Sequence, residues 1–202
     1  MLAPDRLFEP FTDAGWVYEL KVDGYRCIAA VEAGTVRLLS RTGGDCTACY
    51  PEVVKALASL QPTPLILDGE VTVIDAGGLS DFNTFHARRA NRKRVPQPAP
   101  PVTFCAFDLL AMHGRKTTKL PYEARKRLLQ EVLGTVAEPA VKFIGYVPAD
   151  TGAFHAIRHA GQRIEGFVAK RLGSAYQPGV RSDDWRKIKV PGWNEGRIWR
   201  DG

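Results

Sequence analysis

The sequence has no apolar run near the ~20 residues that cross a bilayer, so it offers no membrane-spanning helix. Its opening residues, MLAPDRLFEPF, hold no apolar stretch of signal-peptide type. Cysteine is scarce: Cys27, Cys46, Cys49 and Cys105. Cys46 and Cys49 form a C-x-x-C, but no second such pair exists, and His86, His113, His155 and His159 are not at zinc-finger spacing. A structural zinc site needs four ligands, so neither a metal nor a redox role is expected of this pair. There is also no internal repeat. These absences lead to the expectation of a cytoplasmic protein with reduced thiols and no membrane partner.

What is present fits an ordinary globular domain. The 202 residues suffice for one sizeable core, and 45% hydrophobic with 25% charged residues is a typical composition. The formal charge of +6 favours a polyanionic partner, because lysine and arginine displace counterions from phosphates.

Strand patterns dominate the first half. WVYELK at 16–21 alternates, with Val17, Glu19 and Lys21 on one face and Trp16, Tyr18 and Leu20 on the other. Residues 24–31 and 35–40 read as a hairpin turning at Glu32-Ala33-Gly34, and Pro51 opens a short helix (PEVVKALASL). Residues 65–75 read as a strand, and Ser80 as the N-cap of a helix reaching about Arg88. RRANRKRVPQPAPP at 88–101, basic and then proline-rich, is the clearest loop. Strands at 102–110, 141–147, 164–170 and 185–190 and helices at 121–133 and 151–160 follow, the last capped by Asp150. Short strands without regular βαβ alternation predict an α+β fold of mostly antiparallel sheets.

Several short patterns carry chemistry. Lys21-Val22-Asp23-Gly24 ends a strand. A lysine there becomes a nucleophile when desolvation or nearby cations leave its amine unprotonated. Ser40-Arg41 ends another strand, and Asp68-Gly69-Glu70 puts two acids in an apolar strand, which is costly unless they bind something. Phe107-Asp108-Leu109-Leu110 closes a further strand. Glu165 and Lys170 flank an apolar run, and Lys187 and Lys189 share one strand face. Each pattern alone is weak.

As an ordered set from Glu19 to Lys189, these segments resemble the six nucleotidyltransferase motifs of the covalent AMP- and GMP-transferring superfamily. Within it the chain is most similar to bacterial ATP-dependent DNA ligases of the end-joining repair type. The runs FDLL…GRKTTKLPYEARKRLL and EGFVAKR…SAYQPGVRSDDWRKIKV carry that finer likeness. The resemblance implies a DNA ligase adenylation domain: sheets and flanking helices around a nucleotide-binding groove, acting in DNA repair and recombination near the nucleoid. Lys21 would take AMP from ATP. Glu19 would lie beside the adenine, Phe107 would stack on it, and Glu70 would hydrogen-bond the ribose. Arg26 and Arg41 would contact phosphate, Arg41 also the nucleic acid. Glu165, with Asp23 as a second candidate, would hold Mg2+ or Mn2+. Lys187 and Lys189 would neutralise the α-phosphate. Cations around Lys21 (Arg26, Arg41, Lys187 and Lys189) should depress its pKa. The basic loop, Arg88, Arg89, Arg92, Lys93 and Arg94, would contact nicked or broken duplex DNA.

The chain departs from the family pattern in three places. Thr42 stands where an asparagine usually follows the Ser-Arg pair. Only VPGWNEGRIWRDG follows Lys189, too short for the oligonucleotide-binding barrel that clamps a nick, and no DNA-binding domain precedes Lys21. The expectation is one adenylation domain over 1–202, monomeric, with a protein partner as a possible source of the clamp. Trp193, Arg197, Trp199 and Arg200 are expected to fold back as a terminal packing segment. Two alternatives stand beside the ligase reading: an RNA ligase or capping-type enzyme, and a DNA-end-binding protein with a vestigial catalytic domain.

Overall fold

The computed structural model describes residues 1–90, 100–134, 139–159 and 164–193, the side chains of 89, 90, 158 and 159 aside. Two sheets form the frame. In the first, β1 (Asp13–Leu20) lies between β8 (Tyr146–Ala149) and β9 (Gly166–Arg171), with β10 (Trp185–Lys189) beyond β9. Every pairing in this sheet is antiparallel. In the second, β2 (Tyr25–Glu32) sits between β3 (Thr35–Ser40) and β4 (Leu65–Thr72). β4 pairs with β5 (Thr103–Met112), which carries the short β6 (Arg115–Lys116) and, in parallel, β7 (Val141–Phe143).

The β2–β3 hairpin turns where the sequence places it. Ala33 (φ 47°) and Gly34 (φ 79°) are both left-handed, the backbone that matches the strands' own twist. Among the described residues, four α-helices complete the fold: α1 (Pro51–Ala58), α2 (Phe82–Ala90), α3 (Tyr122–Leu133) and α4 (Thr151–His159). The main core lies around the second sheet, where Leu38, Leu67, Phe104 and Leu109 meet Val53, Leu57, Phe85 and Leu129 of the helices. A smaller core joins the first sheet to α4 through Trp16, Tyr18, Phe154, Phe167 and Ile188. A third cluster, with Met1, Ala3, Tyr176 and Trp185 around Phe107 and Val168, joins strands of both sheets.

The α+β antiparallel frame matches expectation, with local corrections. The run 141–147 is two strands: β7 belongs to the second sheet and β8 to the first, and the chain crosses between sheets at Ile144-Gly145. Both halves are apolar, so periodicity cannot show the break. The cap of α2 is Asp81, whose carboxylate accepts from the Thr84 amide (3.0 Å) and hydroxyl (2.6 Å); Ser80 Oγ accepts from the Asp23 amide instead. Asp150 caps α4 as expected, accepting from the Ala153 amide at 2.8 Å.

Candidate active site

A cavity of about 640 Å³ opens between the two sheets. Strand alternation sets one wall: Trp185, Lys187 and Lys189 of β10 line it, while Arg186 and Ile188 do not. The K-x-D-G turn leads from β1 of one sheet to β2 of the other, carrying Lys21 into the cavity. Gly24 permits that turn, because a Cβ there would come within 2.3 Å of the Val71 carbonyl oxygen. Gly166 plays the same part behind Lys21. Its φ is 145°, a Cβ would meet the Ile188 carbonyl at 2.0 Å, and its own carbonyl accepts from the Lys21 amide at 2.9 Å.

Lys21 Nζ lies 2.5 Å from Glu165 Oε2, and Lys189 Nζ lies 3.2 Å from Oε1 of the same carboxylate. One buried acid therefore holds two lysines of the cavity. Lys187 stands 3.9 Å from Asp5 at the rim, its pKa lowered by desolvation against the opposing pull of Asp5. The cavity thus brings together Lys21, Glu165, Lys187, Lys189, Glu70, Phe107, Glu19, Arg26 and Arg41. Asp23 is not among its lining residues; its amide donates to Ser80 and its carbonyl accepts from Thr72.

The two acids of β4 have different fates. Asp68 is fully buried and receives two bonds from Arg26 (3.0 and 2.6 Å) and one from the Tyr176 hydroxyl (2.8 Å). Arg26 also donates to the Met1 carbonyl at 2.7 Å, so its guanidinium is held as part of the cavity wall. Glu70 has no such fork. Burial pushes its pKa up to about 7, against the pull of Lys21 and Arg26. A carboxyl whose folded pKa lies above its ordinary 4.5 stabilises the fold fully below that value and loses the contribution as pH rises through about 7. Glu70→Gln is therefore expected to flatten the fall in stability between pH 5 and 8, read by thermal melts of both proteins. Parallel pH profiles would rule this out.

Glu19 is buried beneath the cavity. Its Oε1 accepts from the Tyr122 hydroxyl (2.5 Å) and pairs with Lys126 (2.6 Å), and its Oε2 pairs with Lys170 (2.7 Å). Lys126 also donates to the Phe107 carbonyl at 3.0 Å, and burial lowers its pKa to about 8. Sequence reasoning missed Lys126, Tyr122 and Arg125 as site-supporting residues. The signal was there: all three fall on the helical face shared with Leu129, Val132 and Leu133. The cations of Lys170 and Arg26 lie 4.8 and 5.5 Å from the Phe107 ring centroid.

Around the rim, Arg41 is exposed on the turn after β3, with Thr42 Oγ1 3.2 Å from Ser40 Oγ. Cys46 Sγ lies 3.7 Å from Cys27 Sγ, and Cys46 and Cys49 pack against the main core. Among the described residues, no group of three or more His, Cys, Asp or Glu is placed to hold a metal. Arg88 pairs with Glu52 at 2.6 Å and donates to the Pro100 carbonyl, half-buried against the body. The Arg89 side chain and the whole of Arg92, Lys93 and Arg94 lie outside the described residues, as do Arg197, Trp199 and Arg200. The Lys189 ammonium sits 4.4 Å from the Trp193 ring centroid.

Two mostly antiparallel sheets facing across a cleft, with a strand-end lysine from one and Glu70 and Phe107 from the other, have the fold of a DNA ligase adenylation domain. The chain belongs to the ATP dependent DNA ligase domain family, whose model matches residues 3–189. It is 35% identical over 192 residues to the multifunctional non-homologous end joining DNA repair protein LigD of Mycobacterium tuberculosis, a match covering 93% of this chain and 23% of that protein. The bifunctional non-homologous end joining protein LigD of Bacillus subtilis is 33% identical over 199 residues, covering 89% of this chain and 32% of that one. The solved ligase domain of M. tuberculosis LigD superposes with a TM-score of 0.75 at 34% identity, covering 94% of this chain and 59% of that chain. The match therefore spans 23% and 32% of the length of the two LigD proteins. No helix among the described residues is long and apolar enough to cross a membrane.

Proposed function

We propose that Lys21 takes AMP from ATP and passes it to a DNA 5′-phosphate, so that the chain is the self-adenylating core of a nick-sealing end-joining ligase. The observation that carries this reading is the placement of Lys21 beside Glu165, Lys187 and Lys189 in one cavity. The Lys21 nitrogen attacks the α-phosphorus, a P–N bond forms, the bond to the bridging oxygen breaks, and pyrophosphate leaves with its electron pair. The amine must first pass a proton to a base, for which Glu165 Oε2 at 2.5 Å is placed, and that transfer ends the ion pair. Lys187 and Lys189 answer the charge that grows on the phosphoryl oxygens. Phe107 and Glu19 bound the base, Glu70 faces the ribose, and Arg41 stands at the rim for phosphate of the nucleotide or the DNA.

Mg2+ and Mn2+ accept oxygen ligands and, beside phosphates, need only one or two carboxylates; Glu165 is the cavity carboxylate that would hold one, while Asp23, two residues from the nucleophile, lies off the cavity lining. When bound, such an ion supplies positive charge at the α-phosphate.

Incubation with α-labelled ATP is expected to label the protein, GTP is not, and a 5′-phosphorylated nick is expected to discharge the label. Labelling by GTP alone would move the chain to the capping-type reading. Adenylation without discharge would show that a clamp supplied by a further domain or partner is required. DNA binding is expected to draw on the basic loop. Neutralising Arg92, Lys93 and Arg94 should lower the slope of log affinity against log salt by roughly one for each DNA phosphate that no longer meets a cation. An unchanged slope would remove the loop from the interface.

A further inference from the structure

We propose that Asp5 is a tethered counter-ion at the cavity mouth, a positioning residue that occupies Arg181 and Lys187 until the polyphosphate of the nucleotide displaces it. The inference rests on the reading of this cavity as the ATP site. Its geometry is independent of that reading. Residues 1–8 run beside the segment that leads into β10, held at one end by Leu2, whose amide donates to the Val180 carbonyl and whose carbonyl accepts from the Ser182 amide, each at 2.9 Å. At the other end the Phe8 amide donates to the Lys187 carbonyl at 2.9 Å. Asp5 lies between these anchors. Its Oδ1 is 2.7 Å from Arg181 Nη1 and 3.9 Å from Lys187 Nζ, and all three side chains line the cavity that holds Lys21.

A carboxylate fixed among cations of an anion site occupies the position a phosphate oxygen would take. The Asp5 side chain is 79% exposed, so it can swing into water without losing buried packing. Its backbone remains anchored on both sides, which keeps it available to return when the anion leaves. The arrangement weakens polyphosphate binding in exchange for faster release, a useful trait where pyrophosphate must depart before the next step. Asp5 is thereby assigned an effect on binding and release of the phosphates, and none on the chemical step.

The test uses inorganic pyrophosphate as the probe, titrated calorimetrically into the whole chain at low salt. Anion binding gives up the Asp5 pair with Arg181, and a unit charge pair about 4 Å apart in water is worth about a factor of five, so Asp5→Asn is expected to bind pyrophosphate about fivefold tighter. Asp183→Asn makes the same change in net charge at the exposed Arg6 pair, off the cavity lining, and is expected to change binding less than twofold. The gain should shrink near 1 M salt, where screening acts within about 3 Å. It should also shrink in an Arg181→Gln background, as coupling between touching side chains requires. In self-adenylation, Asp5→Asn should lower the KM for ATP and leave kcat no higher. Unchanged or weaker pyrophosphate binding in Asp5→Asn, an equal gain in Asp183→Asn, or a full gain in the Arg181→Gln background would each overturn the inference. Absence of AMP transfer in the wild type would instead tell against the adenylation reading, while the pyrophosphate titrations would still report on Asp5.

Discussion

Arg125→Ala is expected to destabilise the fold severely, costing about 3–5 kcal/mol. The Arg125 side chain is fully buried, its Nε and Nη2 bonded to Asp108 at 2.8 and 3.1 Å. Its Nη1 donates to the carbonyls of Leu120 (2.6 Å) and Ser174 (2.9 Å). One guanidinium thus ties α3 to β5, to the turn before α3 and to the segment after β9. Truncation leaves the Asp108 carboxylate buried without its partner and two carbonyls without a donor, and these penalties outweigh the attraction that the pair itself supplied. For a chain of this size the loss corresponds to a melting temperature lower by about 10 °C. Thermal melts at neutral pH check it, and Arg125→Lys should recover only part, because a single ammonium cannot span both oxygens and both carbonyls. A shift of less than about 2 °C would show that the core does not depend on this fork.

The second large effect concerns the lysines of the cavity, which are expected to differ sharply. Lys21→Ala removes the atom that bonds to phosphorus, so label transfer from ATP should vanish, and Lys21→Arg should not restore it. Lys187→Ala and Lys189→Ala remove charge that answers the phosphoryl oxygens, and each should slow transfer about 10²- to 10³-fold without abolishing it. Lys189→Ala has a further consequence, since Glu165 then retains Lys21 as its one lysine partner in the cavity. Rapid-quench measurement of the labelled protein at saturating ATP resolves these rates. Equal losses in all three variants would contradict a division between nucleophile and electrostatic groups.

Much of this site was legible in the sequence, for identifiable reasons. Lys21, Glu70, Phe107, Glu165, Lys187 and Lys189 sit in short patterns that are weak singly, and their order along the chain, which resembles the family's motif set, is what marked them as one site; all six line the cavity. The β2–β3 hairpin and the Asp150 cap were legible because local chemistry decides them. What was hidden depends on partners distant in the chain. Arg26 looked like a phosphate ligand, yet it meets Asp68, forty-two residues away in sequence, and the Met1 carbonyl. Glu19 was expected beside the adenine, but its two buried lysine partners, Lys126 and Lys170, come from distant elements that no local pattern ties to it. The division of 141–147 between two sheets follows from where β5 and β1 stand, which no local pattern records.

The most direct measurement is mass-spectrometric mapping of the protein after incubation with ATP and magnesium. The account predicts one AMP per chain, located on the peptide containing Lys21, lost in Lys21→Ala and reversed by added pyrophosphate. An unmodified chain, or an adduct on any other residue, would contradict it.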